Sequence, residues 1–223
     1  MKKNYLNQIE DVIKQNGLLY PLDVLFVGAT GTGKSSTINM IFGSEVAKVG
    51  NGVNPETQII SPYLVSEYFR IHDSAGLGDG RTADLEHSKN ITTILSQLVN
   101  GTHGFIDLVI VMLDGGSRDL GTVFRLLDSV IIKNIEPERI VVCINQADMA
   151  MKGRNWNCSL SKPEPMLLEF LEEQSKTIKQ RIYDSTGLNI SKPTYYSAYH
   201  NYNLDALCEH IIKAIPNRRR IIK

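Results

Sequence analysis

Residues 28–35 of this 223-residue chain read Gly-Ala-Thr-Gly-Thr-Gly-Lys-Ser, a full G-x-x-x-x-G-K-[ST] string. Glycines at 28, 31 and 33 let the backbone curl until successive N–H groups point inward, and a helix starting at the end of the loop adds its N-terminal dipole. Such a nest suits the β-phosphate of a nucleotide. Lys34 supplies a point charge for the β- and γ-phosphates, and Ser35 a hydroxyl for Mg²⁺. Thr30, Thr32 and Ser36 lie on the same loop and join the nucleotide-binding set.

A phosphate loop does not by itself choose between ATP and GTP; residues further along the chain do. Asp73-Ser74-Ala75-Gly76 is a D-x-x-G pattern. Its carboxylate can hold Mg²⁺ through water, and the Gly76 N–H can reach a γ-phosphate oxygen. Asn145-Gln146-Ala147-Asp148 corresponds to the guanine-reading N-K-x-D pattern with Gln in place of Lys. The Asp148 carboxylate is suited to accept from N1–H and N2–H₂ of guanine, a donor pair adenine lacks, so adenine leaves a charge unpaired. Asn145 ties this turn back to the phosphate loop. Gln146 covers the base less fully than a lysine stem. Ser197-Ala198 matches a short element whose backbone N–H meets the guanine O6. Thr57, the single threonine between Thr37 and Thr82, is the expected switch-loop ligand. Its hydroxyl completes the octahedral metal set of Ser35, Thr57 and Asp73. Its N–H faces the γ-phosphate, so loss of that contact on hydrolysis frees residues 50–56. Lys34, Thr57 and Gly76 are the expected catalytic contacts, and GTP/GDP with Mg²⁺ the expected ligands.

Three elements must hold these residues. An apolar β-prone run, residues 22–27, enters the phosphate loop, and residues 36–42 leave it as a helix. Runs at 58–65 and 68–72 are close enough to form a hairpin that ends on Asp73. Residues 105–113 and 139–145 are near-continuous apolar runs, as in strands covered on both faces. Helices are expected over 84–99, over 122–133, from Pro165 to before Gly187, and from 203 to 215, with a short strand at 193–197. The alternation predicts an α/β fold: a three-layer P-loop NTPase G domain, its mostly parallel six-stranded sheet flanked by helices on both faces, with ligand loops at the strand C-terminal ends. An amphipathic helix within residues 1–19 precedes this domain (20–217) and either caps the sheet or meets a partner. Residues 218–223 form a basic C-terminal tail in which Arg218–Arg220 reads as a solvated end.

With 24 basic and 24 acidic residues, the formal net charge is zero. That argues against electrostatically driven binding to nucleic acid or anionic membranes. Three widely spaced cysteines make neither a disulfide framework nor a zinc site. The N-terminus carries no signal-peptide pattern and no stretch approaches a membrane span, so a cytoplasmic protein is expected.

The ordered set Gly28–Ser35, Thr57, Asp73–Gly76, Asn145–Asp148 and Ser197–Ala198 resembles the small GTPases of the Era/septin-like branch. Gly-Lys-Ser-Ser-Thr-Ile-Asn at 33–39, Asp-Ser-Ala-Gly-Leu-Gly-Asp at 73–79 and Asn-Gln-Ala-Asp at 145–148 bring it nearest to the bacterial HSR1-related proteins, often labelled 50S ribosome-binding GTPases. The resemblance implies a G domain that hydrolyses GTP to GDP and phosphate as a nucleotide-dependent switch; a ribosome or RNA partner follows only from the family label.

Departures from the pattern qualify the chemistry. Leu77 follows Gly76 where many GTPases carry a water-orienting Gln, and Thr30 occupies a loop position where glycine leaves room for catalytic side chains. Gly31 replaces the Asn of potassium-activated relatives. A slow GTPase is expected, one relying on an activating protein, on a homodimer, or on a switch residue among Asn51, Asn54, Asp79 and Arg81. The alternative is a GTP-binding switch or scaffold with negligible hydrolysis; an ATP-binding protein is disfavoured by Asp148. Arg118 is a candidate base-side contact. The long segment 149–161 with Trp156, the single tryptophan, is either a partner-binding or base-covering loop, or an apolar cluster under a long loop.

Overall fold

The computed structural model describes residues 5–43, 60–74, 76, 81–116 and 121–221. Six strands form one sheet: β1 (Leu22–Gly28), β2 (Ser61–Ser66), β3 (Phe69–Asp73), β4 (Leu108–Asp114), β5 (Ile140–Asn145) and β6 (Thr194–Tyr195). Their order is β6-β5-β4-β1-β3-β2. All neighbours run parallel except β2, which returns antiparallel along β3 as a hairpin. Every residue of β1 and β5 is buried, which is why these runs lack the polar alternation of a one-sided strand.

The helices are α1 (Tyr5–Gln15), α2 (Lys34–Phe42), α3 (Arg81–Ser96), α4 (Gly121–Leu126, continued by a π turn at Leu127–Ile131 and by Ile132–Asn134), α5 (Pro165–Thr186) and α6 (Leu204–Ala214). Alternate strand residues feed two core layers. Leu25, Val27, Val109, Val111 and Val142 pack with α3, α4 and α5. Val24, Phe26, Ile110, Val141 and Cys143 pack with Ile9 and Ile13 of α1, Ile38 of α2 and Leu207 and Ile211 of α6. The α1 helix therefore covers one face of the sheet, and the Tyr5 hydroxyl bonds Asp205 of α6.

Several local expectations need correction. α2 begins at Lys34, two residues earlier than its apolar pattern suggests, because the phosphate loop itself runs into the first helical turn. α3 stops at Ser96: Leu98–Val99 pairs antiparallel with His103–Gly104 instead of extending the helix. β4 starts at Leu108, since Phe105 N–H donates to Gln97 and Asp107 N–H to the Asp23 carbonyl. The last strand shrinks to Thr194–Tyr195 as Tyr196 and Ser197 turn into the site.

Of the arginines read as a solvated end, Arg218 is exposed but the next two are not. Arg219 and Arg220 are buried. Arg219 reaches Asp107 Oδ2 at 3.0 Å, lies 3.6 Å from Asp23 Oδ2, and donates to the carbonyls of Leu19 and Pro21. Arg220 donates to the carbonyls of Asn134 and Leu95, at the ends of α4 and α3. Two buried carboxylates and the unpaired carbonyls of helix termini supply what a buried guanidinium requires.

Candidate functional site

Gly28, Asp73, Asp114 and Asn145 end β1, β3, β4 and β5, so four strand termini open on one crevice. The strand order reverses at β1, where open α/β sheets bind their ligands. Gly28 runs so close to β4 that a Cβ there would lie 2.6 Å from the Met112 carbonyl oxygen. Gly31 and Gly33 adopt left-handed φ values of 80° and 82°, which only glycine takes without strain. The loop is stitched internally by Thr32 Oγ1, which donates to the Ala29 carbonyl at 2.9 Å. The start of α2 is fixed by Thr37, whose hydroxyl bonds the Gly33 carbonyl at 2.9 Å and the buried Tyr196 hydroxyl at 2.8 Å. Burial holds the Tyr196 phenol well above its ordinary pKa, so it stays a neutral partner.

Lys34 is buried inside the loop, its Nζ donating to the carbonyls of Gly28 and Ala29 at 3.2 Å each. Beside it, Ser35 Oγ donates to Asp73 Oδ2 at 2.9 Å. Burial raises the Asp73 pKa, against the opposing pull of the Ser35 hydrogen bond and the Lys34 charge. Asp73 Oδ1 is buried with no hydrogen-bond partner among the described residues. An orphaned carboxylate oxygen beside a hydroxyl is a hard-oxygen set that fits Mg²⁺, which takes few protein ligands and keeps phosphate and water for the rest. Gly76 packs directly over Thr30: a Cβ on it would lie 2.7 Å from the Thr30 nitrogen.

On the other side of the loop, Asn145 Nδ2 donates to the Thr32 carbonyl at 2.9 Å, and Asn145 Oδ1 accepts from Ala198 N–H at 3.0 Å. Gln146, itself at φ 59°, donates from Nε2 to the Gly31 carbonyl at 2.7 Å. A cleft of about 690 Å³ opens between them, with Ser36, Asn39 and Met40 on one wall and Asp148, Ser197 and Tyr199 among the others. Asp148 Oδ1 is buried without a partner among the described residues. The crevice thus joins an N–H-lined loop with a buried ammonium, a hydroxyl–carboxylate pair and, across the cleft, an uncommitted carboxylate. That combination can hold phosphate charge at one end and a flat donor-bearing ring at the other.

Of the residues singled out in the sequence, Gly28 to Ser36, Asp73, Gly76, Asn145, Gln146, Asp148, Ser197 and Ala198 come together here. Thr57, Leu77, Asn51, Asn54, Asp79 and Arg118 lie outside the described residues, as does the side chain of Arg81. Tyr196, Met40, Tyr199 and His200 were not anticipated. Tyr199 and His200 are signalled only by following Ser197-Ala198, and Met40 by sitting nearly two turns into α2.

Comparison with known proteins gives one family, one relative and two solved structures. The family model described as 50S ribosome-binding GTPase matches residues 23–146. Over 190 residues the chain is 27% identical to Translocase of chloroplast 125 of Physcomitrium patens, covering 82% of this chain but 16% of that protein. In fold it is similar to LeoA, a bacterial dynamin GTPase from ETEC, with TM-score 0.59 and 13% identity over 95% of this chain and 42% of that one. It is likewise similar to a probable GTP-binding protein engB, with TM-score 0.51 and 17% identity over 86% of this chain and 98% of that one. Because the family match runs from the first strand to the turn that ends β5, more than half of its length, the chain belongs to the 50S ribosome-binding GTPase family of P-loop enzymes that bind and hydrolyse GTP.

Proposed function

We propose that this G domain selects guanine through Asp148, holds Mg²⁺ through Ser35 and Asp73, and turns over slowly unless a partner assists. The observation carrying this reading is the buried, unpartnered Oδ1 of Asp148 in a cleft whose far end is the phosphate loop. Guanine offers N1–H and N2–H₂ to that carboxylate, and the Ser197–Ala198 turn lines the same cleft for O6, its Ala198 N–H shared with Asn145 Oδ1.

In this reading Lys34 leaves its carbonyl partners for the β- and γ-phosphates, and the loop N–H groups and the start of α2 hold the β-phosphate. Bound Mg²⁺ supplies charge that offsets what develops on the phosphate oxygens. The Gly76 N–H orients the γ-phosphate for in-line attack by water, and Thr57 completes the switch-loop contacts. Slow turnover follows from Leu77, which cannot hydrogen-bond a water, and from Thr30, packed against Gly76 where a smaller residue would leave room. Those two residues favour a second reading, a GTP switch with negligible intrinsic hydrolysis. Within its family, the ordered set Gly28–Ser35, Thr57, Asp73–Gly76, Asn145–Asp148 and Ser197–Ala198 favours an Era/septin-like placement. Three free cysteines, two of them buried, suit a reducing aqueous compartment such as the cytoplasm. A ribosomal or RNA partner has the family description as its support, and a homodimer or activating protein the slow chemistry.

Calorimetry with GDP, a non-hydrolysable GTP analogue and ADP, each with and without Mg²⁺, tests the reading. GDP and the analogue should bind, the analogue should depend on Mg²⁺, and ADP should not bind; equal affinity for ADP sinks the base assignment. Single-turnover hydrolysis without partners then separates slow enzyme from silent switch.

A further inference from the structure

Beyond the strand ends, the chain makes an excursion between β5 and α5 that a guanine site does not need. Ala147–Gly153 forms a turn, and Trp156–Asn157 then pairs with Lys162–Pro163 in a small hairpin. Met151, Lys152 and Asn155 all hold left-handed φ values. Non-glycine residues keep that conformation only where surrounding contacts enforce it. The contacts lead to one place. The indole of Trp156 lies 4.9 Å from the His200 ring, centroid to centroid, and meets the Tyr202 ring edge-on at 5.4 Å.

His200 is also fixed from its own side. Its backbone N–H donates to Ser197 Oγ at 3.2 Å, and Ser197 and Tyr202 close the turn with reciprocal backbone bonds of 3.1 and 3.0 Å. The Tyr199 ring abuts the His200 ring at 4.8 Å. Held this way, His200 Nε2 lies 3.9 Å from Asp148 Oδ2, within ion-pair range and beyond hydrogen-bond range. The other oxygen of that carboxylate, Oδ1, is buried and unpartnered among the described residues.

We propose that Trp156 and His200 form a brace that orients the Asp148 carboxylate, making the 149–163 excursion part of the guanine-reading apparatus. This rests on Asp148 as the guanine acceptor. A carboxylate turns freely about its last torsion, and only one rotation presents both oxygens in the plane of the base. An imidazole edge 3.9 Å from Oδ2 biases that rotation at ion-pair distance, without using up the acceptor positions the base needs, since a carboxylate has about four of them. His200 and Trp156 are therefore positioning residues. Replacement of the usual lysine by Gln146, committed to the Gly31 carbonyl, leaves more of the discrimination to the geometry of Asp148.

The test compares GDP with IDP, which lacks the 2-amino group, so that orientation of the carboxylate is read separately from general binding. Wild-type protein, H200A, H200Q, W156A and W156F are titrated with both nucleotides in Mg²⁺, with thermal melts alongside. The ratio of GDP to IDP affinity should fall about fivefold in H200A and W156A, the size expected for losing one orienting contact. H200Q, which keeps a donor, and W156F, which keeps a ring, should restore most of it. Emission of the single tryptophan should change more on binding GDP than IDP. Equal losses for both nucleotides, or an unchanged ratio in folded H200A, overturn the brace while leaving Asp148 in its role. A wild type with no preference for GDP over IDP or ADP overturns the guanine assignment itself.

Discussion

Asn145 joins the two halves of the site: its Nδ2 donates to the carbonyl of Thr32 at 2.9 Å while its Oδ1 accepts from Ala198 N–H at 3.0 Å. The side chain is buried, so both protein partners depend on it rather than on water. Gly33 exists partly for its sake, since a Cβ there would collide with Asn145 Nδ2. One amide thus sets the spacing between the phosphate loop and the turn expected to meet guanine O6.

Replacing Asn145 by Ala leaves a buried carbonyl and a buried N–H without partners. The loss should be about 1–3 kcal/mol for each group that water cannot reach. Nucleotide affinity should fall further than stability does, because the two ends of the ligand are no longer held at a matched distance. Denaturation curves with and without GDP separate the two effects. A variant whose GDP affinity matches the parent's, despite lower stability, shows that the tie is structural only.

Gly28 faces a different constraint. Its φ is unremarkable, but a Cβ would lie 2.6 Å from the Met112 carbonyl oxygen on the neighbouring strand and 3.1 Å from Thr32 Oγ1. Gly28→Ala must push β1 and β4 apart at the mouth of the loop, an overpacking cost of about 1–3 kcal/mol. Thermal melting without nucleotide reads this directly; an unchanged midpoint means that the strands separate freely there.

Asp148→Asn tests how the base is read. An amide offers one acceptor and one donor where the carboxylate offered two acceptors. That pattern matches xanthine, which carries a carbonyl in place of the 2-amino group of guanine. GDP affinity should drop on the order of a hundredfold, the effect of losing a charge-assisted pair in a buried setting, while XDP affinity rises. Competition binding of GDP against XDP measures the exchange.

Much of this site could be read along the chain because its chemistry is contiguous. The loop at 28–35 and the turn at 145–148 each carry their function within a few residues, and β1, β4 and β5 announce themselves as apolar runs because both of their faces are covered. Elements defined by partners far away in the chain were not legible. His200 looks like any turn histidine until Trp156 and Asp148 stand beside it. Leu98 and Val99 extend the apolar face of α3 in sequence, yet they pair with His103–Gly104. Arg219 looks like part of a solvated tail, because Asp23 and Asp107 approach it only through the fold.

Those last three residues make stability depend on pH in an unusual direction. Asp107 is fully buried, and burial pushes its carboxyl up to about 7 despite the Arg219 guanidinium at 3.0 Å and the Asp23 N–H at 3.1 Å. Asp23 differs: Arg70 at 2.5 Å and His72 at 2.7 Å hydrogen-bond its carboxylate and, against the raising effect of burial, bring its pKa below the ordinary value. Between an ordinary carboxylate pKa and about 7, the folded chain holds a proton on Asp107 that the unfolded chain has released. The contribution of Asp107 is therefore fully present below the unfolded pKa and is lost as pH rises through about 7, with a slope approaching about 1.4 kcal/mol per pH unit. Arg219→Ala removes the cation that the ionised form needs. The variant should already lose stability at pH 5, where Asp107 is protonated but the Leu19 and Pro21 carbonyls and the ionised Asp23 lose the guanidinium. The gap should widen to about 3–5 kcal/mol at pH 8, where the buried Asp107 carboxylate lacks its counter-ion. Urea denaturation at pH 5, 6.5 and 8 reads both slopes. A pH-independent difference between variant and parent means that Asp107 stays ionised throughout, with Arg219 as its permanent counter-ion.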